Sequence, residues 1–124
     1  MWFGTTLVSI PVSFRDGTGQ TAVIENWPPF GDRPPLHINH SLDEVFVVLK
    51  GLLRVVLDFR PMILNAGDRA LAPKGVAHTY RVESADGARF LAITTGGDFE
   101  AMVRRASRPA TQAGLPAAMA PRPR

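Results

Sequence analysis

At 124 residues, 45% hydrophobic and 20% charged, the chain is sized for one globular domain and too short for two ordinary ones. It has no cysteine, which excludes a disulfide framework, a thiolate metal site and a cysteine nucleophile; no apolar run approaches the roughly 18 residues of a membrane span. The net charge of +3 is unevenly placed, since residues 1–100 carry nine Lys and Arg against all eleven Asp and Glu, while Arg104, Arg105, Arg108, Arg122 and Arg124 follow without an acid. The basicity therefore belongs to the C-terminal stretch, and aromatic residues stop at Phe99, so a nucleic-acid partner is not expected. The N-terminus has no basic residue before Arg15 and no small-residue cleavage site, so it does not read as a secretory signal; the expectation is a soluble, cytoplasmic protein without a membrane partner.

In chain order, Thr5 to Val12 and Thr21 to Trp27 read as early strands, followed by a loop from Pro28 to Pro35 whose four prolines cannot serve a central strand. The strands predicted next are Leu36 to His40, Glu44 to Leu49, Leu52 to Phe59, Pro61 to Leu64, Arg69 to Ala72, Val76 to Glu83 and Arg89 to Thr95. Turns at Lys50-Gly51, Ala66-Gly67-Asp68, Pro73-Lys74-Gly75 and Ala85-Asp86-Gly87 separate several of them, each with a glycine where positive φ is cheap. From 97 to 106 the period changes: Asp98 can cap a short helix in which Phe99, Met102, Val103 and Ala106 share a face. The expected domain is 1–106. Residues 107–124, with four Pro, five Ala and three Arg, read as a disordered or loosely packed tail.

All three histidines fall in two short segments, 36–44 and 73–78. On a strand, His37 and Asn39 share one face and Leu36, Ile38 and His40 the other; Glu44 opens the next strand on the face of Phe46 and Val48. In the strand from Val76, alternation puts His78 with Val76, Tyr80 and Val82 on the mostly apolar face. If these faces meet in a barrel, His37, Asn39, Glu44 and His78 converge. Imidazole with carboxylate suits a divalent transition metal such as Fe, Ni, Mn, Zn or Cu. Taken one at a time, each histidine could equally be a satisfied structural residue, and Asp43-Glu44 a solvated turn. A carboxylate opening so apolar a strand, however, must be paired, metal-bound or protonated if it is buried. Phe46, Val48, Tyr80 and Phe90 are read as core that also lines the pocket.

These residues resemble the cupin family. Its first motif has a glycine, five residues, His-x-His, three or four residues, a glutamate, six residues and a glycine, which fits Gly31, His37, Asn39, Glu44 and Gly51. The second, glycine, five residues, Pro-x-Gly, two residues, histidine, three residues and asparagine, fits Gly67, Pro73, Gly75, His78 and Val82. The likeness extends over about residues 2–105 and is greatest to small quercetinase-like cupins. It implies an all-β fold, a double-stranded β-helix (jelly-roll barrel) with one short C-terminal helix. It also implies a metal held by His37, Glu44 and His78, with Asn39 as a weaker ligand in the place of the second histidine. His40 is the alternative if a β-bulge turns it inward. By the same resemblance Glu44 is the catalytic base, and the chemistry is quercetinase-like dioxygenation or a non-oxidative isomerase, cyclase or lyase variant on an apolar or aromatic oxygenated small molecule. The competing expectation is a metal-free or metal-weak cupin that binds a small molecule without turning it over. A homodimer is expected, because the outer face of the His37 strand, with Leu36 and Ile38, needs cover.

Overall fold

Period-two burial is the force that shapes this chain: along Glu44–Lys50 the residues Glu44, Phe46 and Val48 are buried, while Leu49 and Lys50 are exposed. The computed structural model describes residues 1–16 and 21–109. In chain order its elements are β1 (Trp2–Phe3), β2 (Thr6–Val12), β3 (Thr21–Trp27), β4 (His37–Ile38), β5 (Glu44–Lys50), β6 (Leu53–Leu57), β7 (Arg60–Leu64), β8 (Arg69–Ala72), β9 (Ala77–Val82), β10 (Arg89–Thr95) and α1 (Asp98–Ala106). They form two antiparallel sheets, one in the order β1-β2-β3-β10-β5-β8 and one in the order β4-β9-β6-β7. The fold is a double-stranded β-helix, and no helix among the described residues is long and apolar enough to cross a membrane.

The inner faces of the sheets meet in a core of Phe46, Val48, Leu53, Val55, Leu64, Val82 and Phe90. Across the central pair a phenylalanine faces a smaller residue each time, Phe46 opposite Ala92 and Phe90 opposite Val48. Gly51, a motif glycine, has φ +85 and lies so close to the next turn that a Cβ there would meet the Gly87 carbonyl oxygen at 2.6 Å.

Several boundaries differ from the sequence expectation. The strand expected over Leu52 to Phe59 stops at Leu57, because Asp58 (φ 50) and Phe59 (φ 63) form a two-residue hairpin turn closed by the Leu57–Arg60 pair. That turn contains no glycine to announce it. β4 is two residues long rather than five, held by His37 opposite His78 and Ile38 opposite Ala77. Asp98 does not cap α1. Gly97 occupies that position, and the Asp98 carboxylate accepts a 2.7 Å hydrogen bond from the Ser41 hydroxyl instead.

On α1, Val103 is buried and Phe99 and Met102 are half-buried, but Ala106 is exposed and Glu100 is wholly buried. The Glu100 carboxylate accepts hydrogen bonds from the Ser13 hydroxyl (2.7 Å), the Phe14 amide (2.7 Å) and Arg104 Nε (2.9 Å). Burial alone would raise its pKa, but the Phe14 amide, the Ser13 hydroxyl and Arg104 together hold it below the ordinary value. This carboxylate pins the helix to the end of β2. Beyond α1, Arg108 pairs with Trp2 through two backbone hydrogen bonds, so the stretch expected as a loose tail begins with an ordered contact. The rest of that tail, 110–124, lies outside the described residues.

Candidate metal centre

Three elements deliver the site. β4 carries His37 at its first residue, β5 opens with Glu44, and β9 carries His78 directly across from His37. The two imidazole rings meet edge to face with centroids 4.2 Å apart. One nitrogen from each histidine and one oxygen of Glu44 all lie within 4.8 Å of one another. Glu44 and His78 are buried, whereas His37 is exposed and forms the solvent side of the cluster.

Backbone carbonyls orient both rings. His37 Nδ1 lies 2.9 Å from the Pro35 carbonyl oxygen and His78 Nδ1 lies 3.3 Å from that of Val76, so Nδ1–H donates in each case and Nε2 is the nitrogen left to act as a ligand. His78 Nε2 is 3.4 Å from Glu44 Oε1 and makes no hydrogen bond there, although it is buried. A buried, unpartnered imidazole nitrogen beside a buried carboxylate and a second oriented imidazole is a donor set that fits a transition metal. For His78, burial disfavours the imidazolium, but Glu44 and the Val76 carbonyl outweigh it and raise the pKa; protons and metal therefore compete here.

Asn39, at the position of the missing third histidine, lies just beyond β4, and its Nδ2 donates to Glu44 Oε1 at 3.3 Å. An amide group can approach a carboxylate in this way only through its nitrogen. Asn39 thus serves as an anchor for Glu44, and the cluster of titratable groups has three members. The alternative ligand, His40, is exposed and outside the cluster: the strand ends at Ile38, so no bulge carries its side chain inward.

Behind the cluster lies a cavity of about 350 Å³, bordered by His37 and Glu44 at one end. Phe46, Tyr80 and Phe90 border it, their rings in mutual contact at 5.2 to 6.3 Å. Val48 does not border it. Four residues along β5 from Glu44, roughly 13 Å at strand rise, Val48 is fully buried in the core. The Tyr80 hydroxyl donates to Asp32 at 3.4 Å, and burial together with the nearby Asp32 and Glu44 charges raises its pKa well above the ordinary value, so it stays a neutral phenol.

The sequence reading missed Phe3, Asn26, Pro34 and Pro35 on the cavity wall, and took Phe99 and Met102 for packing alone. Inward alternation along β3, where Ala22, Ile24 and Asn26 are buried, was a usable signal for Asn26. No local pattern points to Phe3, which reaches the wall from the N-terminus.

Residues 23–94 match the Cupin domain family. The chain belongs to the cupins. Within them it is 41% identical over 54 residues to quercetin 2,3-dioxygenase of Bacillus subtilis (strain 168), a match covering 44% of this chain and 16% of that protein. The chain thus resembles the quercetinase-like group while spanning only a small share of that relative's length. Among solved structures, a predicted oxalate decarboxylase from Thermotoga maritima has a TM-score of 0.69 at 17% identity, covering 73% of this chain and 80% of that one. KdgF from Halomonas sp. has a TM-score of 0.68 at 16% identity, covering 78% and 84% respectively. At such identities the structures establish the cupin fold alone.

Proposed function

We propose that this cupin holds a divalent transition metal through His37, Glu44 and His78 and acts on an apolar or aromatic oxygenated small molecule in the adjoining cavity. The observation that carries the reading is the placement of three ligand atoms within 4.8 Å at the polar end of a pocket otherwise walled by Phe46, Tyr80, Phe90 and Phe99. Two histidines with one carboxylate are the set used by non-haem iron oxygenases, which favours iron and dioxygenase-like chemistry over the other metals. A bound metal supplies Lewis acidity or redox capacity at an oxygen function of the ligand.

The protein's own residues do the remainder. The aromatic walls exclude water and orient a flat ligand, and Tyr80 offers a neutral phenol. Glu44, anchored by Asn39, is the base that takes a proton from a hydroxyl or an activated C–H group. Where no oxidant takes part, the same proton transfer gives isomerase, cyclase or lyase chemistry. The replacement of a histidine ligand by Asn39 favours a second reading, a metal-weak cupin that binds the same kind of molecule without turnover.

Hydroxylated aromatics, catechols and flavonols, presented to the metal-loaded protein in air separate these readings through oxygen uptake and product analysis. Turnover that disappears in Ala92→Phe, with metal content retained, is the expected result, because Ala92 borders the cavity opposite Phe46. Saturable binding without product would support the second reading, and binding untouched by Ala92→Phe would contradict the cavity assignment.

The homodimer is part of the same proposal, but the structure offers a broader face for it than Leu36 and Ile38. On the outside of the larger sheet, Val23, Ile93, Val45 and Leu71 align across four strands, with Leu91 and Val47 in the next row. Leu71 is 52% exposed and Leu49 beside them 41%. An apolar patch of this kind, flanked in the second row by Glu25 and Arg69, is a face that a second copy would cover. Sedimentation velocity is expected to give a species of twice the 13.5 kDa chain mass, and Leu71→Lys to convert it to monomer; a wild-type monomer at micromolar concentration would refute this.

A further inference from the structure

On the outside of the smaller sheet, away from the metal centre, three arginines stand side by side. Arg54 of β6 and Arg81 of β9 are direct cross-strand partners. Arg33 follows Gly31 and Asp32, both of which bond to the Val82 backbone, so it stands on the other side of Arg81. All three border one concavity of about 260 Å³, which Val56, Thr79 and Tyr80 complete.

Like charges directly opposite each other destabilise a sheet, and little within the described residues offsets these. Arg81 alone has a carboxylate partner, Glu83, at 3.1 Å. Arg33 and Arg54 have none among the described residues. The nearby Asp32 carboxylate is taken up by Thr5, Thr6 and Tyr80. A strongly basic domain would gather arginines by chance, but residues 1–100 carry more acids than bases. The row is also partly pre-oriented: the Arg81 guanidinium lies over the Phe30 ring at 5.8 Å, and the Thr79 hydroxyl ties down the Arg33 loop through the Pro34 carbonyl at 2.5 Å.

We propose that this concavity, formed by Arg33, Arg54 and Arg81, is an anion site for a small molecule bearing a phosphate or pyrophosphate group. Planar guanidinium forks match the oxygens of such a group in pairs, and three cations suit a multiply charged anion better than a single carboxylate. The concavity shares Tyr80 with the cavity beside the metal cluster, but its three arginines border only the concavity, and the anion they hold is a second ligand.

Calorimetric titration of the metal-loaded protein with pyrophosphate, at low and at physiological ionic strength, tests this. One equivalent is expected to bind saturably, and Arg54→Gln to weaken binding at least tenfold. Arg60→Gln, an exposed change on β7 outside the concavity, should leave it unaltered. Arg54→Gln removes a like-charge contact, so its melting temperature should equal or exceed that of the wild type, which separates lost binding from lost folding. Three results would overturn the proposal: no saturable binding, binding that survives Arg54→Gln and therefore belongs to the metal, or binding of a long polyanion such as polyuridylate without any of pyrophosphate.

Discussion

Glu100→Ala is expected to cost about 3 kcal/mol of folding stability, lowering the melting temperature by roughly 15 °C for a domain of this size. The reason is desolvation. The substitution strips the half-buried Ser13 hydroxyl and Phe14 amide of their acceptor and leaves a void where the buried Glu100 side chain stood. Arg104, half in solvent, loses much less, so the damage is concentrated at the β2 end of the contact. Urea unfolding at pH 7 measures it, and a loss below 1 kcal/mol would mean that α1 is held by Val103 and Phe99 instead.

The acid response has a definite sign. Because the folded-state pKa of Glu100 is depressed, its contribution is complete above the ordinary carboxylate range and is lost as pH falls through the folded value. The stability gap between wild type and Glu100→Gln should therefore narrow on acidification. Since α1 brings Phe99 and Met102 to the cavity wall, loosening it should also weaken ligand binding.

Asn39→His is expected to tighten metal binding by at least tenfold, about 1.4 kcal/mol. Asn39 already reaches Glu44, so a side chain at this position can face the cluster. An imidazole there adds a nitrogen ligand better suited to borderline metals than a carboxamide oxygen. Part of the gain is offset by losing the Asn39 hydrogen bond that anchors Glu44. Competition with a chromophoric chelator gives the affinity, and the visible spectrum of the cobalt-substituted protein reports the added ligand. Unchanged affinity and spectrum would place residue 39 outside the coordination sphere and make its role purely that of an anchor.

Much of the barrel was legible because its cause is local. Alternation fixes which face of β5, β9 and β10 turns inward, and glycines with positive φ, such as Gly51 and Gly75, mark where strands must reverse. The spacing of His37, Glu44 and His78 was readable for the same reason, since each stands at a definite place in a strand register. The misses have non-local causes. Nothing near Glu100 announces that its partners are Ser13 and Phe14, more than eighty residues away. The turn at Asp58-Phe59 puts two ordinary side chains at positive φ, where sequence preference alone continues the strand. Val48 has the inward parity of Phe46, but parity does not say which inward residues border the cavity and which pack in the core.

The most direct test is the metal content of protein purified without a chelating tag, measured by elemental mass spectrometry on wild type and His78→Ala. A near-stoichiometric transition metal in the wild type, retained through dialysis and absent from a folded His78→Ala, is the predicted result. No metal in the wild type even after anaerobic reconstitution with iron, or equal metal in both proteins, would contradict a centre built from His37, Glu44 and His78.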